Sequence, residues 1–192
     1  MKTIRIHHPR PHFHPTIAIG ALLGCVLLVC APIAQATEII PSVGITKSAH
    51  DSNADAELYG GVAFRGNILP MLKSEVGVAY RHESRLDGNL EVRQWPVTAS
   101  LWLAPIPAVY AGGGVGWYHT TLDYSSTLPL ADETHQRFGV HLGGGVDVPL
   151  GPSAAVDLNG RYVYLGNQTS QLPPSQWDAD YWTTTLGLAF KF

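Results

Sequence analysis

The sequence predicts an all-β protein, an eight-stranded antiparallel up-and-down transmembrane β-barrel, and three observations carry the prediction. The C-terminal segment alternates strictly, with Trp182, Leu186 and Phe190 on the parity that ends at Phe192. A period of two is that of a β-strand with one apolar face. Seven segments upstream alternate in the same way. Past residue 36 no apolar run reaches the ~18 residues of a transmembrane helix, so the chain is either a small soluble β-domain or a closed barrel, and the apolar face of the terminal segment favours the barrel.

The N-terminus has the composition of a secretory signal peptide. Three basic residues precede an apolar run over 17–33, which ends in an A-x-A site at 34–36. This order predicts cleavage after residue 36, with 1–36 as signal peptide and 37–192 as the barrel domain. The alternative is an uncleaved anchoring helix, since about 17 apolar residues approach the ~20 that span a bilayer.

Charge and cysteine content exclude several functional classes. Cys25 and Cys30 both lie in the leader, so the mature chain contains no disulfide or reactive thiol. Three of the 12 Lys and Arg residues and none of the 15 Asp and Glu residues precede residue 37. The formal net charge therefore changes from −3 to about −6 on cleavage, which disfavours nucleic acid as a partner.

The alternating segments assign residues to two faces. They span 38–47, 56–66, 72–83, a fourth that ends at Leu103, 108–120, 136–148, 153–165 and 181–192. In the third segment Val76 and Val78 oppose Glu75 and Arg81, so one face is apolar and the other charged. We expect the apolar face to contact lipid and the charged face to line the barrel lumen.

Two strands have features that parity does not resolve. The segment over 108–120 has two defensible registers, because Tyr110 and Tyr118 compete with Val115 and Trp117 for the apolar face. Its run of glycines is not followed by the Lys-Ser/Thr of a phosphate-binding loop, so no nucleotide or other cofactor is expected. Pro96 cannot donate to a strand ladder and predicts a local bulge in the fourth strand.

The connections fall into two classes. Those after strands two, four and six are short and hold proline, whereas the others are mostly longer and more acidic. Short periplasmic turns and long outer loops alternate in this way in outer-membrane barrels. Both ends of the mature chain are therefore expected on the periplasmic side.

Several stretches resemble the small eight-stranded barrels of the bacterial outer membrane, those of the OmpA type and the opacity type. The terminal Phe192, with Phe190, Leu188 and Leu186 upstream, resembles the family's C-terminal assembly signal. The glycine-rich stretches 107–117 and 138–150 are similar to strands of the same family. The resemblance implies insertion by the barrel assembly machinery into the cell outer membrane, in contact with its lipid and lipopolysaccharide. The family contains adhesins, structural anchors and lipid-modifying enzymes, so the fold does not settle the activity.

Charged residues on the inward parity form a candidate site. Counting ~3.4 Å per residue from the short turns places most of them in the periplasmic half of the lumen. Side chains fill the lumen of an eight-stranded barrel, and an unpaired charge there costs several kcal/mol, so we expect paired charges and a plugged barrel. A hydrated lumen, forming a narrow channel for small solutes, is the alternative. The predicted network consists of Arg65, Lys73, Glu75, Asp147, Asp157, Arg161 and Lys191.

Catalytic chemistry has one candidate motif. His82 and Ser84 match the His-x-Ser spacing of barrel deacylases, but Glu83 between them lies on the opposite parity. Three groups split between two faces of a strand do not form a triad. We therefore expect no catalysis, with a lipid-modifying acyl hydrolase or transferase as the alternative.

Two further clusters lie at the outer loops. Asp123, Asp132, Glu133 and His135 could bind a hard cation, but such clusters are more often solvated, so no metal site is expected. Trp177, Tyr181 and Trp182 are expected in the interfacial aromatic girdle. The sequence thus favours a structural or adhesive outer-membrane protein that acts through its outer loops, and it leaves the oligomeric state open.

Overall fold

The computed structural model describes residues 37–50, 55–85, 90–124, 132–169 and 176–192. The predicted leader lies outside these residues, so its cleavage stays a prediction. The described residues form ten strands: β1 (Glu38–Ser48), β2 (Glu57–Leu69), β3 (Leu72–Arg85), β4 (Leu90–Ile106), β5 (Val109–Tyr124), β6 (Glu133–Pro149), β7 (Ala154–Tyr164), β8 (Asn167–Thr169), β9 (Gln176–Asp178) and β10 (Tyr181–Lys191). Among the described residues there is no helix long and apolar enough to cross a membrane.

Eight of these strands close into one antiparallel barrel. Each strand pairs with its neighbour in sequence, and β10 pairs with both β7 and β1, which closes the sheet. At this seam Ser48 pairs with Tyr181, and Glu38 pairs with Lys191 at the other end. The predicted eight-stranded all-β barrel is confirmed. The additional hairpin of β8 and β9 lies where a loop was expected, and it forms a separate two-stranded sheet.

The wall of the barrel is apolar on its outside. Leu58, Phe138 and Leu142 expose 72%, 83% and 70% of their surface, whereas residues of the opposite parity on the same strands are largely buried. An apolar surface of this extent has the pattern that lipid covers in a transmembrane barrel. The assembly-signal residues Leu186, Leu188, Phe190 and Phe192 all lie on this outer face.

The glycines of β5 and β6 explain the register that the sequence left open. Tyr110 and Tyr118 are buried in the lumen, and Val115 and Trp117 face outward. A Cβ at Gly116 would lie 2.6 Å from the Tyr118 ring, and one at Gly145 would overlap the Tyr110 hydroxyl. The glycines therefore leave the space that the two inward rings occupy.

Two local expectations are wrong, and Arg137 departs from the face that its parity indicates. Pro96 causes no bulge: the β3–β4 pairing lapses between Val78↔Val97 and Arg81↔Gln94 but resumes in the same register. Tyr181 is not in the aromatic girdle, because its parity turns the ring into the lumen, where it is 1% exposed. Arg137 has the inward parity but is exposed, because β6 extends beyond the end of β7 at Tyr164↔Val140.

Aromatic side chains nevertheless ring the outer end of the wall. Tyr162 and Trp182 pack edge to face with ring centroids 4.7 Å apart, and Tyr80 and Trp95 lie 4.8 Å apart. The rings of this belt suit the interface between hydrocarbon and headgroups. The side chain of Trp177 lies outside the described residues.

Candidate functional site in the barrel lumen

The periplasmic half of the lumen contains a connected charge cluster centred on Arg65. Its guanidinium donates to Glu75 Oε2 from Nε at 2.9 Å and from Nη2 at 2.7 Å. Nη1 donates to Asp157 Oδ2 at 2.9 Å and to Asp147 Oδ1 at 3.3 Å. Arg65 and Glu75 meet because they are directly paired on β2 and β3 and both point inward. Arg65 is 1% exposed, so its charge is compensated almost entirely by protein groups.

Two more cations complete the cluster. Arg161 donates from Nη2 to Glu75 Oε1 at 2.7 Å, so Glu75 lies between two guanidinium groups. Lys73 Nζ donates to Asp147 Oδ2 at 2.9 Å. Three cations thus meet three carboxylates, which are themselves nearly buried. The structure brings together six of the seven residues predicted for the network.

Lys191 lies apart from the cluster. It has the inward parity, but it is exposed at the last paired position of β10. Parity determines the face of a strand and not the depth, so the terminal lysine extends past the end of the closed lumen.

Neutral side chains that the sequence did not predict also contact the charge cluster. Tyr110 donates its hydroxyl to Asp157 Oδ2 at 2.7 Å and accepts from Asn159 Nδ2 at 3.0 Å. The Arg65 guanidinium carbon lies 4.5 Å from the centre of the Tyr110 ring. Trp102, which is fully buried, packs edge to face on Tyr110 at 5.4 Å. The sequence signal for Tyr110 was Gly145 of β6, where a Cβ would overlap the Tyr110 hydroxyl.

A second layer closes the outer half of the lumen. Arg81 is paired with Glu83, and its guanidinium lies 4.2 Å from the centre of the Tyr181 ring. Gln94 donates to Thr120 Oγ1 at 2.8 Å beside them. Further outward, Leu90, Val92, Leu122 and Tyr124 form a buried apolar cluster.

A polar cavity lies between the two layers. Glu75 and Arg161 border it on one side, and the hydroxyls of Tyr59, Thr98 and Thr183 also line it. Its volume is about 40 Å³. One water molecule needs roughly 10–15 Å³ on this measure, so the cavity holds a few waters at most. A cavity of this size is far smaller than the water-filled channel of a porin.

Neither the catalytic motif at His82 and Ser84 nor the acidic cluster at the outer loops forms a site in the described residues. His82 and Ser84 have the outward parity of β3, and His82 Nε2 lies 3.8 Å from Glu91, whereas Glu83 is buried inside. Asp123 is paired with Arg93. Glu133 lies 3.0 Å from His135, and Asp132 accepts from the Tyr124 amide at 3.3 Å.

A model of the outer membrane protein beta-barrel domain matches residues 21–192 of the sequence. The chain belongs to this family. Among solved structures, this outer-membrane barrel is similar to neisserial surface protein A, with a TM-score of 0.64 and 14% identity over 81% of this chain and 96% of that one. The comparison with curated proteins finds no significant match.

Two other solved barrels have comparable similarity. OprG of Pseudomonas aeruginosa gives a TM-score of 0.57 and 17% identity over 82% of this chain and 97% of that one. Ail, the attachment invasion locus protein of Yersinia pestis, was solved with the heparin analogue sucrose octasulfate. It gives a TM-score of 0.55 and 16% identity over 82% of this chain and 97% of that one. Identities at this level establish the shared fold alone.

Proposed function

We propose that this outer-membrane barrel is a non-catalytic surface protein with a structural or adhesive role, acting through an anionic outer surface. The observation that carries the proposal is the charge of the longer connections. The segments 49–56, 86–89, 125–132 and 165–180 hold six aspartates and no lysine or arginine. The short connections on the other side of the barrel, 70–71, 107–108 and 150–153, hold no charged residue.

The outward extension of part of the barrel supports this assignment. Strands β3 to β6 continue past the end of β7, and residues 133–139 of β6 lie beyond the Tyr164↔Val140 pair. At ~3.4 Å per residue this is roughly 24 Å along the strand. An extended sheet of this kind presents a rigid surface above the membrane, which suits contact with a partner better than a flat rim does.

The charge of this surface favours a basic partner over a sulfated polysaccharide. Ail was solved with a heparin analogue, but the aspartates of these longer connections would repel such a polyanion. Complementary charge steers association and suppresses wrong partners, so cationic surfaces are the expected target.

Catalysis is not part of the proposal. An acyl hydrolase needs a nucleophile, a base and an orienting acid within hydrogen-bond reach of one another. Ser84 and Glu83 lie on opposite faces of β3, and the exposed Glu91 lies 3.8 Å from His82 Nε2, beyond hydrogen-bond distance. The outer wall at this place therefore lacks the geometry for a triad.

Attachment of whole cells tests the proposal. Cells that produce the protein should adhere to amine-coated surfaces more than cells without it, and should not adhere more to heparin-coated surfaces. A variant in which Asp51, Asp55, Asp87 and Asp132 are replaced by asparagine should lose the gain while reaching the same level in the outer membrane. Equal attachment with and without the protein would contradict an adhesive role.

A further inference from the structure

A mixed imidazole and carboxylate cluster lies at the outer end of the barrel seam. His50 follows β1, Asp178 ends β9, and Asp180 directly precedes β10. One ligand atom from each residue lies within 4.8 Å of the other two. His50 Nδ1 is 3.1 Å from Asp178 Oδ2, and the Ala49 amide donates to the Asp180 carbonyl at 2.9 Å.

The Asp180 carboxylate is fixed in place by groups outside the cluster. Oδ1 accepts from the amides of Leu165 at 2.8 Å and Gly166 at 2.9 Å. Oδ2 accepts from the Tyr162 hydroxyl at 2.8 Å. Burial opposes ionisation of Asp180, but these three donors hold the pKa of its carboxyl below the ordinary value. An ionised carboxylate has about four acceptor positions, so one position on Oδ2 is left for a further ligand.

The Asp178 carboxylate is oriented as well. Its Oδ1 accepts from the Asp180 amide at 2.9 Å, which leaves Oδ2 directed toward His50. Two oriented carboxylate oxygens and one imidazole nitrogen thus converge from three segments. In metal sites, hydrogen bonds from neighbouring groups to the ligand side chains hold those ligands in place, as the bonds to Asp178 and Asp180 do here.

We propose that His50, Asp178 and Asp180 bind one divalent transition-metal ion of the zinc class at the outer end of the β1–β10 seam. Zinc bonds to nitrogen and oxygen are about 2.0–2.2 Å long, so two ligands of a tetrahedral ion lie roughly 3.3 Å apart. The 3.1 Å between His50 Nδ1 and Asp178 Oδ2 already fits this spacing. All three ligand atoms lie within 4.8 Å of one another, so the third ligand needs to close by at most about 1.5 Å to reach this spacing.

The ligand set selects the class of metal. Imidazole nitrogen suits zinc, nickel and copper, whereas calcium and magnesium prefer sites built from oxygen alone. Two carboxylates balance the charge of a divalent ion. Three protein ligands leave a fourth position for water or for a donor from a partner molecule.

Metal at this position would tie together the two strands that close the barrel. Ser48 of β1 and Tyr181 of β10 pair directly below the cluster. A bound ion therefore joins the outer end of β1 to the segment before β10. It stabilises the folded barrel because it binds the folded state in preference to the unfolded one.

Calorimetric titration of untagged protein, extracted from the outer membrane into detergent, with zinc chloride near pH 7.5 tests the site. We expect one ion per chain, and a raised unfolding temperature in the presence of zinc. H50A and D178N should each weaken binding by at least about tenfold, in line with the loss of a metal ligand or its support. Magnesium in excess should not compete.

H135A provides the matched control, because His135 also faces a carboxylate, that of Glu133, at 3.0 Å at the outer end of the barrel. This variant should bind zinc as the unmodified protein does. Each variant is first checked for heat-modifiable migration on gels, which reports the closed barrel; the half-exposed His50 is not needed for it. The proposal is overturned if the unmodified protein binds no zinc, or if H50A and D178N bind it with unchanged affinity.

Discussion

Arg65 and Glu75 face each other across the β2–β3 pair and share two hydrogen bonds, of 2.9 and 2.7 Å, that end on the same carboxylate oxygen. The other oxygen of Glu75 accepts from Arg161 at 2.7 Å. Glu75 therefore accepts from two guanidinium groups at once. It links Arg161 to the cluster centred on Arg65.

Replacement of Glu75 by alanine should destabilise the barrel strongly. It leaves Arg65 and Arg161 without their shared partner, and removal of one member of a buried ion pair costs about 3–5 kcal/mol. Urea unfolding of the protein refolded in lipid vesicles measures the loss. E91A is the control, because Glu91 is exposed on the outer wall, and its effect should stay within about 0.5 kcal/mol. Equal stability of E75A and E91A would show that the cluster does not hold the lumen together.

A larger residue at Gly145 should displace Tyr110 from the cluster. A Cβ there would overlap the Tyr110 hydroxyl and lie 2.5 Å from the Leu158 carbonyl oxygen. Overpacking of this kind costs about 1–3 kcal/mol. We expect G145A to lower the temperature at which the folded band disappears on gels. At Gly151 an added Cβ would meet nothing within 4 Å, so G151A should leave that temperature unchanged; the same shift in both variants would refute the steric argument.

Parity in the sequence was sufficient for the fold and for most of the cluster. The strands with charges on one face only, such as β3, were assigned correctly because a shift by one residue would expose Glu75 and Arg81 to lipid. The same rule could not assign β5, where aromatic residues lie on both faces. Gly116 makes space for the Tyr118 ring, and Gly145 of β6 makes space for Tyr110.

Depth and short elements were beyond what parity determines. Lys191 has the luminal parity but extends past the lumen, and Arg137 does the same at the outer end. Strands β8 and β9 have three residues each, too few to show a period. His50, Asp178 and Asp180 are far apart in sequence, and only the closure of β1 onto β10 brings them together.

Deletion of Phe192 should impair assembly. Phe192 is 77% exposed, so its loss removes little packing, whereas the resemblance of the C-terminal segment to the family's assembly signal predicts a defect in insertion. The level of folded protein in isolated outer membranes measures the effect. F138A is the control, since Phe138 is 83% exposed on the same wall but not terminal. Normal membrane levels of the deletion variant would contradict the prediction.

Expression of the protein should leave lipid A unchanged. His82 and Ser84 lie on the outer face of β3, and Glu91, the acid 3.8 Å from His82 Nε2, is exposed and beyond the hydrogen-bond reach that a triad needs. Mass spectra of extracted lipid A from cells with and without the protein should therefore be identical. A mass shift that S84A abolishes would establish the enzyme alternative.

Conductance of the purified protein in planar lipid bilayers tests the plugged barrel most directly. The cluster around Arg65 and the layer of Arg81, Glu83 and Tyr181 fill much of the described lumen, with a small polar cavity beside Glu75 and Arg161. The unmodified protein should show little or no conductance at any polarity. Steady, ion-selective channels in the unmodified protein would contradict a closed lumen and establish a narrow channel for small solutes instead.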